Sequence, residues 1–401
     1  LLRQIAQRVK LTLRPGDDVA RLGSDRSWPD VAGRLGGDEF VVLLDRIARP
    51  EDAVAVAQRL LEALAAPYDL SGRQVQSTAS IGVVTSDVSC ESVESVLRDA
   101  DTAMYEAKRR GRGRHAVFQP DMHQRIRHAM ELEADMRQAL HSDAFYVVYQ
   151  PIVELASRRP VGLEALARWR HAERGVVSPV DFIPIAEETG LIVDLGRRVL
   201  RRACLDLARW QAALGPDAPR TVSVNLSRAQ LQPGLLATSV SAVLAEAGLP
   251  ASALRLEITE TLAMQDDAAV SVLGELRALG VSLSLDDFGT GYSSLASLDQ
   301  LPIDTVKIDR AFVAKMVSSS YQTALVKSTV QVAEALDLAV IAEGVETEAQ
   351  AEALAALGCR GAQGFLFSRP VPANELEAWW CAQLPEAAQR LADAPDSIQP
   401  A

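Results

Sequence analysis

The chain has 401 residues, of which 48% are hydrophobic and 23% charged, and a net charge of −12. That length exceeds one ordinary core and the composition is that of a soluble globular protein, so two domains are expected. The charge excludes long nucleic acid as a partner, since a phosphate backbone needs a basic face, and the excess is uneven: residues 1–120 balance 17 basic with 17 acidic side chains.

No apolar run approaches the roughly 20 residues that span a bilayer, so no membrane segment is expected. The start, Leu1-Leu2-Arg3-Gln4, does not resemble a signal peptide. It also lacks a Met, and the chain reads as a piece of something longer. Cys90, Cys204, Cys359 and Cys381 form no C-x-x-C pair, which disfavours structural zinc and suits a reducing, cytoplasmic setting.

In chain order, residues 1–119 form a first region. Strands are expected over 40–44 and 78–85, helices over 53–65 and 93–109, and a basic, glycine-containing run over 108–114. Residues 120–141 read as a connecting helix, because Met122, Ile126, Met130, Leu132, Met136 and Leu140 recur at helical spacing. Residues 142–384 are a strand–helix array, and 385–401 a flexible tail rich in Ala, Pro and Asp.

The array repeats one layout. Seven apolar runs (VGLEAL, TVSVN, LRLEIT, VSLSLDD, TVKID, AVIAE, CRGAQGF) end in polar groups: Glu164, Asn225, Glu257, Asp286 with Asp287, Lys307, Glu343 and Gln363. Most are separated by a helical stretch, which implies a parallel sheet. In a closed barrel those strand ends meet at one mouth. Crowded carboxylates repel unless cations neutralise them, and hard divalent ions are the obvious reason for such a set. Alternation places Thr221, Ser223 and Asn225 on one strand face and Ser282, Ser284 and Asp286 on another, facing an interior whose upper layer is expected to be open and wet. None of the five histidines, His115, His123, His128, His141 and His171, falls at a strand end, so surface or linker roles are expected for them.

Tyr149-Gln150-Pro151-Ile152, Glu164-Ala165-Leu166-Ala167-Arg168, Asn225-Leu226-Ser227, Glu257-Ile258-Thr259-Glu260, Asp286-Asp287-Phe288-Gly289-Thr290-Gly291-Tyr292-Ser293-Ser294, Lys307-Ile308-Asp309, Glu343-Gly344-Val345-Glu346 and Gln363-Gly364 together resemble the EAL phosphodiesterases. Those enzymes hydrolyse cyclic di-GMP. The resemblance implies an α/β fold, a TIM-like (β/α)8 barrel with an antiparallel first strand. It implies two Mg²⁺ or Mn²⁺ ions: Glu164, Asn225, Glu257 and Asp286 would hold the first, and Asp286, Asp287 and Glu343 the second. Lys307 would position or deprotonate the attacking water, with its pKa depressed by the metals. Gln363 would orient that water, Arg168 would bind phosphate, and Gln150 would contact substrate. Glu260 would brace the glycine-rich loop 287–294, which would couple metal binding to an EAL homodimer contact. Asp309 is open between a substrate-side contact and an ion pair, and Glu346 reads as a helix-start carboxylate.

In the first region Arg34-Leu35-Gly36-Gly37-Asp38-Glu39-Phe40, Ala79-Ser80-Ile81-Gly82 and the run 100–108 resemble GGDEF diguanylate cyclases. Gly36 and Gly37 would allow close approach of GTP, Asp38 would bind metal, and Glu39 would be its companion acid. Two departures argue against cyclase activity in this α+β region. The family's first strand and helix are missing, and residues 23–34 look inserted, with Arg21-Leu22-Gly23-Ser24-Asp25 echoing the signature. By the resemblance, the family's inhibitory Arg-x-x-Asp pair would be Arg14 and Asp17 counted from the echo, but Ser27 and Asp30 from the signature. The expected function is hydrolysis of cyclic di-GMP to linear pGpG, with an inactive, regulatory GGDEF region. The alternatives are a non-catalytic cyclic di-GMP receptor, or a bifunctional enzyme in a longer chain.

Overall fold

The computed structural model describes residues 1–13, 31–44, 47–70, 72–88, 92–109, 111–263, 267–289, 298 and 301–384. Arg14, Asp17, Ser27, Asp30, Cys90, most of the expected insertion, Thr290 to Ser294 of the glycine-rich loop and the tail all lie outside them. The chain divides into two compact units, Leu1–Leu132 and Glu133–Ala401.

In the first unit α1 (Leu2–Thr12) is followed by the hairpin β1 (Val31–Gly36) and β2 (Glu39–Leu43), which turns at Gly37-Asp38. Next come α2 (Pro50–Ala65), the short hairpin β3 (Tyr68–Leu70) and β4 (Arg73–Val75), and β5 (Ile81–Val83). Then α3 (Val93–Arg109) leads to β6 (His115–Val117), which pairs parallel with β5. The strand expected over 78–85 is thus only three residues of ladder. Small apolar clusters stabilise the unit, one of them formed by Val9, Leu13, Val56, Leu60 and Leu64. The connecting helix α4 (Met122–Ala139) follows, and the division between units falls inside it.

The second unit runs β7 (Phe145–Glu154), β8 (Pro160–His171), β9 (Gly175–Val177), α5 (Pro179–Thr189), α6 (Ile192–Leu214), β10 (Thr221–Asn225), α7 (Leu235–Ala247) and β11 (Leu254–Thr259). It continues with α8 (Glu260–Ala263), α9 (Asp267–Ala278), β12 (Ser282–Phe288), β13 (Thr305–Ile308), α10 (Arg310–Val313), α11 (Ser320–Ala335), β14 (Ala339–Ala342), α12 (Glu348–Ala356), β15 (Gly361–Ala362), β16 (Val371–Pro372) and α13 (Ala373–Gln383). Strands β8, β10, β11, β12, β13, β14 and β15 pair in parallel in that order. β7 closes the barrel by pairing antiparallel with both β8 and β15. This is the eight-stranded barrel with an antiparallel first strand that the resemblance implied.

Alternation along the strands builds it. Val222, Leu254, Leu256, Ile258 and Leu283 are fully buried, and each such side chain contributes roughly 1.5–3 kcal/mol. The residues between them point to the other face and carry the polar groups. One expectation about that face is corrected. Ser223 and Ser284 are completely buried rather than set in an open layer. Register explains why: Ser223 lies level with Glu164, and Ser284 level with Glu257 and Thr305, so larger side chains close over them.

Candidate active site at the mouth of the barrel

Register also fixes which polar groups meet. Asn225 pairs with Glu257, Thr259 with Asp286, and Gln150 stands opposite Glu164 across the antiparallel pair. Glu164 does not end its strand, as the repeated layout suggested. β8 runs on to His171 in order to pair with β9, which leaves Glu164 in mid-strand and buried.

At the centre is Lys307, with no exposed surface. Its Nζ lies 2.7 Å from Glu257 Oε2, 2.5 Å from Glu343 Oε1, 3.4 Å from Glu164 Oε2 and 3.5 Å from Asp286 Oδ1. Amides complete the ring. Asn225 Nδ2 donates to Glu164 Oε1 at 2.9 Å, and Gln363 Nε2 donates to Glu164 Oε2 at 2.6 Å and to Gln150 Oε1 at 2.8 Å. Gln150 Nε2 in turn donates to the carbonyl of Ser368 at 3.1 Å.

The electrostatics follow from burial. Loss of solvent pushes Glu257 up to about 8 and Glu343 up to about 7, despite the nearby ammonium. Burial also raises Glu164, but Lys307 and the hydrogen bonds from Gln363 and Asn225 outweigh it and hold this carboxylate below its ordinary value. Burial and the charge of Asp286 raise Asp287. Burial lowers Lys307, yet its four carboxylate neighbours outweigh that and hold it well above its ordinary value. The depressed lysine was expected beside two bound cations, and the carboxylate ring by itself acts in the opposite direction. A lowered value needs cations to cancel the carboxylates first.

The donor set fits such cations. One oxygen each of Asp286, Asp287 and Glu343 lies within 4.8 Å of the others. Oε1 of Glu257 is buried without a hydrogen-bond partner, although the other oxygen of that carboxylate is taken by Lys307. Asn225, donating through its nitrogen, offers only its oxygen as an acceptor. Every candidate ligand is an oxygen, the chemistry of Mg²⁺ and Mn²⁺.

The remaining candidates are also placed. Glu260 Oε2 accepts the backbone N–H of Gly289 at 3.1 Å, so it touches the start of the glycine-rich loop. Arg168 shares a strand face with Glu164, is half-buried, and donates to the carbonyl of Ala167 at 2.8 Å. Asp309 Oδ1 accepts from Ala311 N at 2.8 Å and caps α10, and its side chain also hydrogen-bonds Asp287, which places it beside the acidic ring. Glu346 stands one residue before Thr347, the N-cap of α12, near the helix start as expected. Asp38 and Glu39 are exposed on the β1–β2 hairpin. His171 contacts Asp135 at 3.0 Å and His123 contacts Asp99 at 2.6 Å, outside the acidic ring.

Sequence reasoning missed Ser368, which meets Gln150 through a backbone carbonyl and so leaves no side-chain signal. It also missed Gln230, although Ser227 and Gln230 have the S-x-x-Q spacing of a capping box directly after Asn225.

A family model described as EAL domain matches residues 133–370, and one described as diguanylate cyclase, GGDEF domain matches residues 26–114. The bifunctional diguanylate cyclase/cyclic di-GMP phosphodiesterase MucR of Pseudomonas aeruginosa is 40% identical over 379 residues, covering 94% of this chain and 53% of that protein. The cyclic di-GMP phosphodiesterase NbdA of the same organism is 39% identical over 392 residues, 98% of this chain and 48% of that protein. Among solved structures, the PaMucR phosphodiesterase in complex with c-di-GMP is similar with a TM-score of 0.58 and 44% identity, over 61% of this chain and 99% of that one. The chain spans about half the length of these curated relatives.

Proposed function

The chain belongs to the EAL domain family, with a GGDEF-type region ahead of that domain, and from this premise we propose that it hydrolyses one phosphodiester of cyclic di-GMP to give linear 5′-pGpG. One observation carries the reading: the filled ring of Glu164, Asn225, Glu257, Asp286, Asp287 and Glu343 around a buried lysine. A protein that only bound the dinucleotide would have no use for so costly a cluster of buried charge.

Glu164, Asn225, Glu257 and Asp286 would hold one divalent ion, and Asp286, Asp287 and Glu343 a second. Such ions, when bound, neutralise the carboxylates and polarise a phosphate oxygen. In its resting form Lys307 donates hydrogen bonds to Glu257 and Glu164. With the carboxylates neutralised by bound ions, the ammonium would acidify and release a proton to solvent, and the neutral amine left at Nζ would then take the proton of the attacking water. The buried Oε1 of Gln363 has no hydrogen-bond partner and accepts from that water, while its Nε2 stays fixed on Glu164 and Gln150. Arg168 contributes a guanidinium for a phosphate oxygen. Gln150 faces the substrate from the antiparallel strand. Glu260 acts at one remove, by holding Gly289 beside Asp286 and Asp287.

The finer parts of the reading are a homodimer through the EAL domain and a regulatory GGDEF region that takes GTP at Gly36, Gly37, Asp38 and Glu39. Sedimentation tests the first. Hydrolysis kinetics with and without GTP, and after Asp38→Ala, test the second, and unchanged kinetics would remove it. The reaction itself is tested by incubating the purified chain with cyclic di-GMP and Mn²⁺ and separating the products. Linear pGpG supports the enzyme. Dinucleotide recovered intact from a tight complex supports a receptor instead.

A further inference from the structure

We propose that Glu187, Ser227, Gln230 and Gly196 form a brace outside the acidic ring that sets Asn225 on Glu164, making them positioning residues for the first cation site. This rests on the reading of Asn225 as a ligand.

Asn225 is the last residue of β10, so its side chain is aimed by the backbone just beyond the strand. That backbone is held from three sides. Leu226 N donates to the carbonyl of Glu257 at 2.8 Å, tying the turn to β11 at another candidate ligand. Ser227 caps the single 3-10 turn Arg228–Gln230: its N–H donates to Gln230 Oε1 at 3.0 Å, and Gln230 N returns a bond to its carbonyl at 3.0 Å. Ser227 Oγ then donates to Glu187 Oε1 on α5 at 2.7 Å.

The third side is α6. Gly196 lies in the interior of this 23-residue helix, where glycine costs about 1 kcal/mol relative to alanine. It is not among the residues with positive φ, so the backbone does not ask for glycine. Space does. A Cβ at Gly196 would fall under 3.0 Å from three amide atoms of Gln230. Gln230 is itself buried and committed to Ser227, so its amide cannot withdraw without releasing the cap. The helix thus gives up intrinsic stability to seat a glutamine that fixes the turn carrying a candidate ligand.

A cap that served stability alone would look similar in the fold, so the experiment must separate the two. The intact chain is titrated calorimetrically with Mn²⁺ as wild type and as Ser227→Ala, Ser227→Thr and Gly196→Ala, alongside thermal unfolding and kcat and KM for cyclic di-GMP. Ser227→Ala and Gly196→Ala should fold yet lose Mn²⁺ affinity by roughly 10–100-fold, as removal of groups that orient metal ligands does. Their kcat should fall with KM little changed, and excess Mn²⁺ should restore part of it. Ser227→Thr keeps the hydroxyl and should behave as wild type. Folded alanine variants with lower Tm but unchanged Mn²⁺ affinity would overturn the brace. If Gly196→Ala fails to fold, Ser227→Ala decides alone. A wild type that binds Mn²⁺ without hydrolysing cyclic di-GMP sinks the proposed reaction and leaves the affinity comparison standing. One that binds no Mn²⁺ overturns both.

Discussion

The ammonium of Lys307 lies 2.7 Å from Oε2 of Glu257, and both side chains are withdrawn from solvent. In this state the lysine supplies the positive charge that three further carboxylates, Glu164, Asp286 and Glu343, also use. The chemistry assigned to the ring requires part of that charge to come from elsewhere.

Lys307→Met keeps the length of the side chain and removes its charge. Breaking a buried ion pair by deleting one partner typically costs about 3–5 kcal/mol, because the other charge stays buried. The variant should therefore unfold at clearly lower temperature in chelator, regain much of the loss with Mn²⁺, and show no turnover. Thermal unfolding with and without Mn²⁺ measures this. A variant as stable as wild type in chelator would show that the lysine does not balance the ring.

Asp286 and Glu260 should separate. Asp286→Asn removes charge shared by both proposed cation sites, so metal affinity and nearly all turnover should be lost. Glu260 accepts from Gly289 N and is proposed to brace the loop without binding an ion, and loss of groups of that kind typically costs about 10–100-fold in affinity or activity. Glu260→Ala should keep measurable turnover, partly restored by raised Mn²⁺. Calorimetric titration beside rate measurement compares them, and equal behaviour contradicts the assignment.

Gly364 follows Gln363, and a Cβ there would overlap the backbone N, C and O of Val345. Backbone cannot step aside as a flexible side chain can. Gly364→Ala should cost about 1–3 kcal/mol, the range for overpacking, and should displace Gln363 from Glu164 and Gln150. Denaturant unfolding reads the first effect and kcat the second. An unchanged kcat would mean that Gln363 has no part in the chemistry.

The ring was legible in sequence because strand alternation is rigid: a run such as TVSVN commits Asn225 to one face whatever surrounds it. The mid-strand place of Glu164 was not, since it depends on β8 continuing to pair with β9, a contact made by Trp169 with Val177 and Arg170 with Val176. Nor was the burial of Ser223 and Ser284, which register with longer neighbours decides. That Asp309 also caps a helix was hidden because α10 has four residues, too few for any periodicity to announce. Gly196 and Gln230 meet across 34 positions of numbering, and neither the glycine inside a helix nor the S-x-x-Q spacing after Asn225 says that the two touch.

The most direct test of the account is the rate of pGpG formation from cyclic di-GMP by one preparation in chelator, then with Mg²⁺, Mn²⁺ or Ca²⁺ added, with Glu164→Ala as a folded control. Mg²⁺ binds at about 2.0–2.1 Å in near-ideal octahedra, whereas Ca²⁺ prefers about 2.3–2.6 Å and looser geometry. Turnover should be absent in chelator, restored by Mg²⁺ or Mn²⁺, inhibited by Ca²⁺, and missing from Glu164→Ala under every condition. Undiminished turnover in chelator, or an active Glu164→Ala, would contradict the reading of the acidic ring as a cation-dependent phosphodiesterase site.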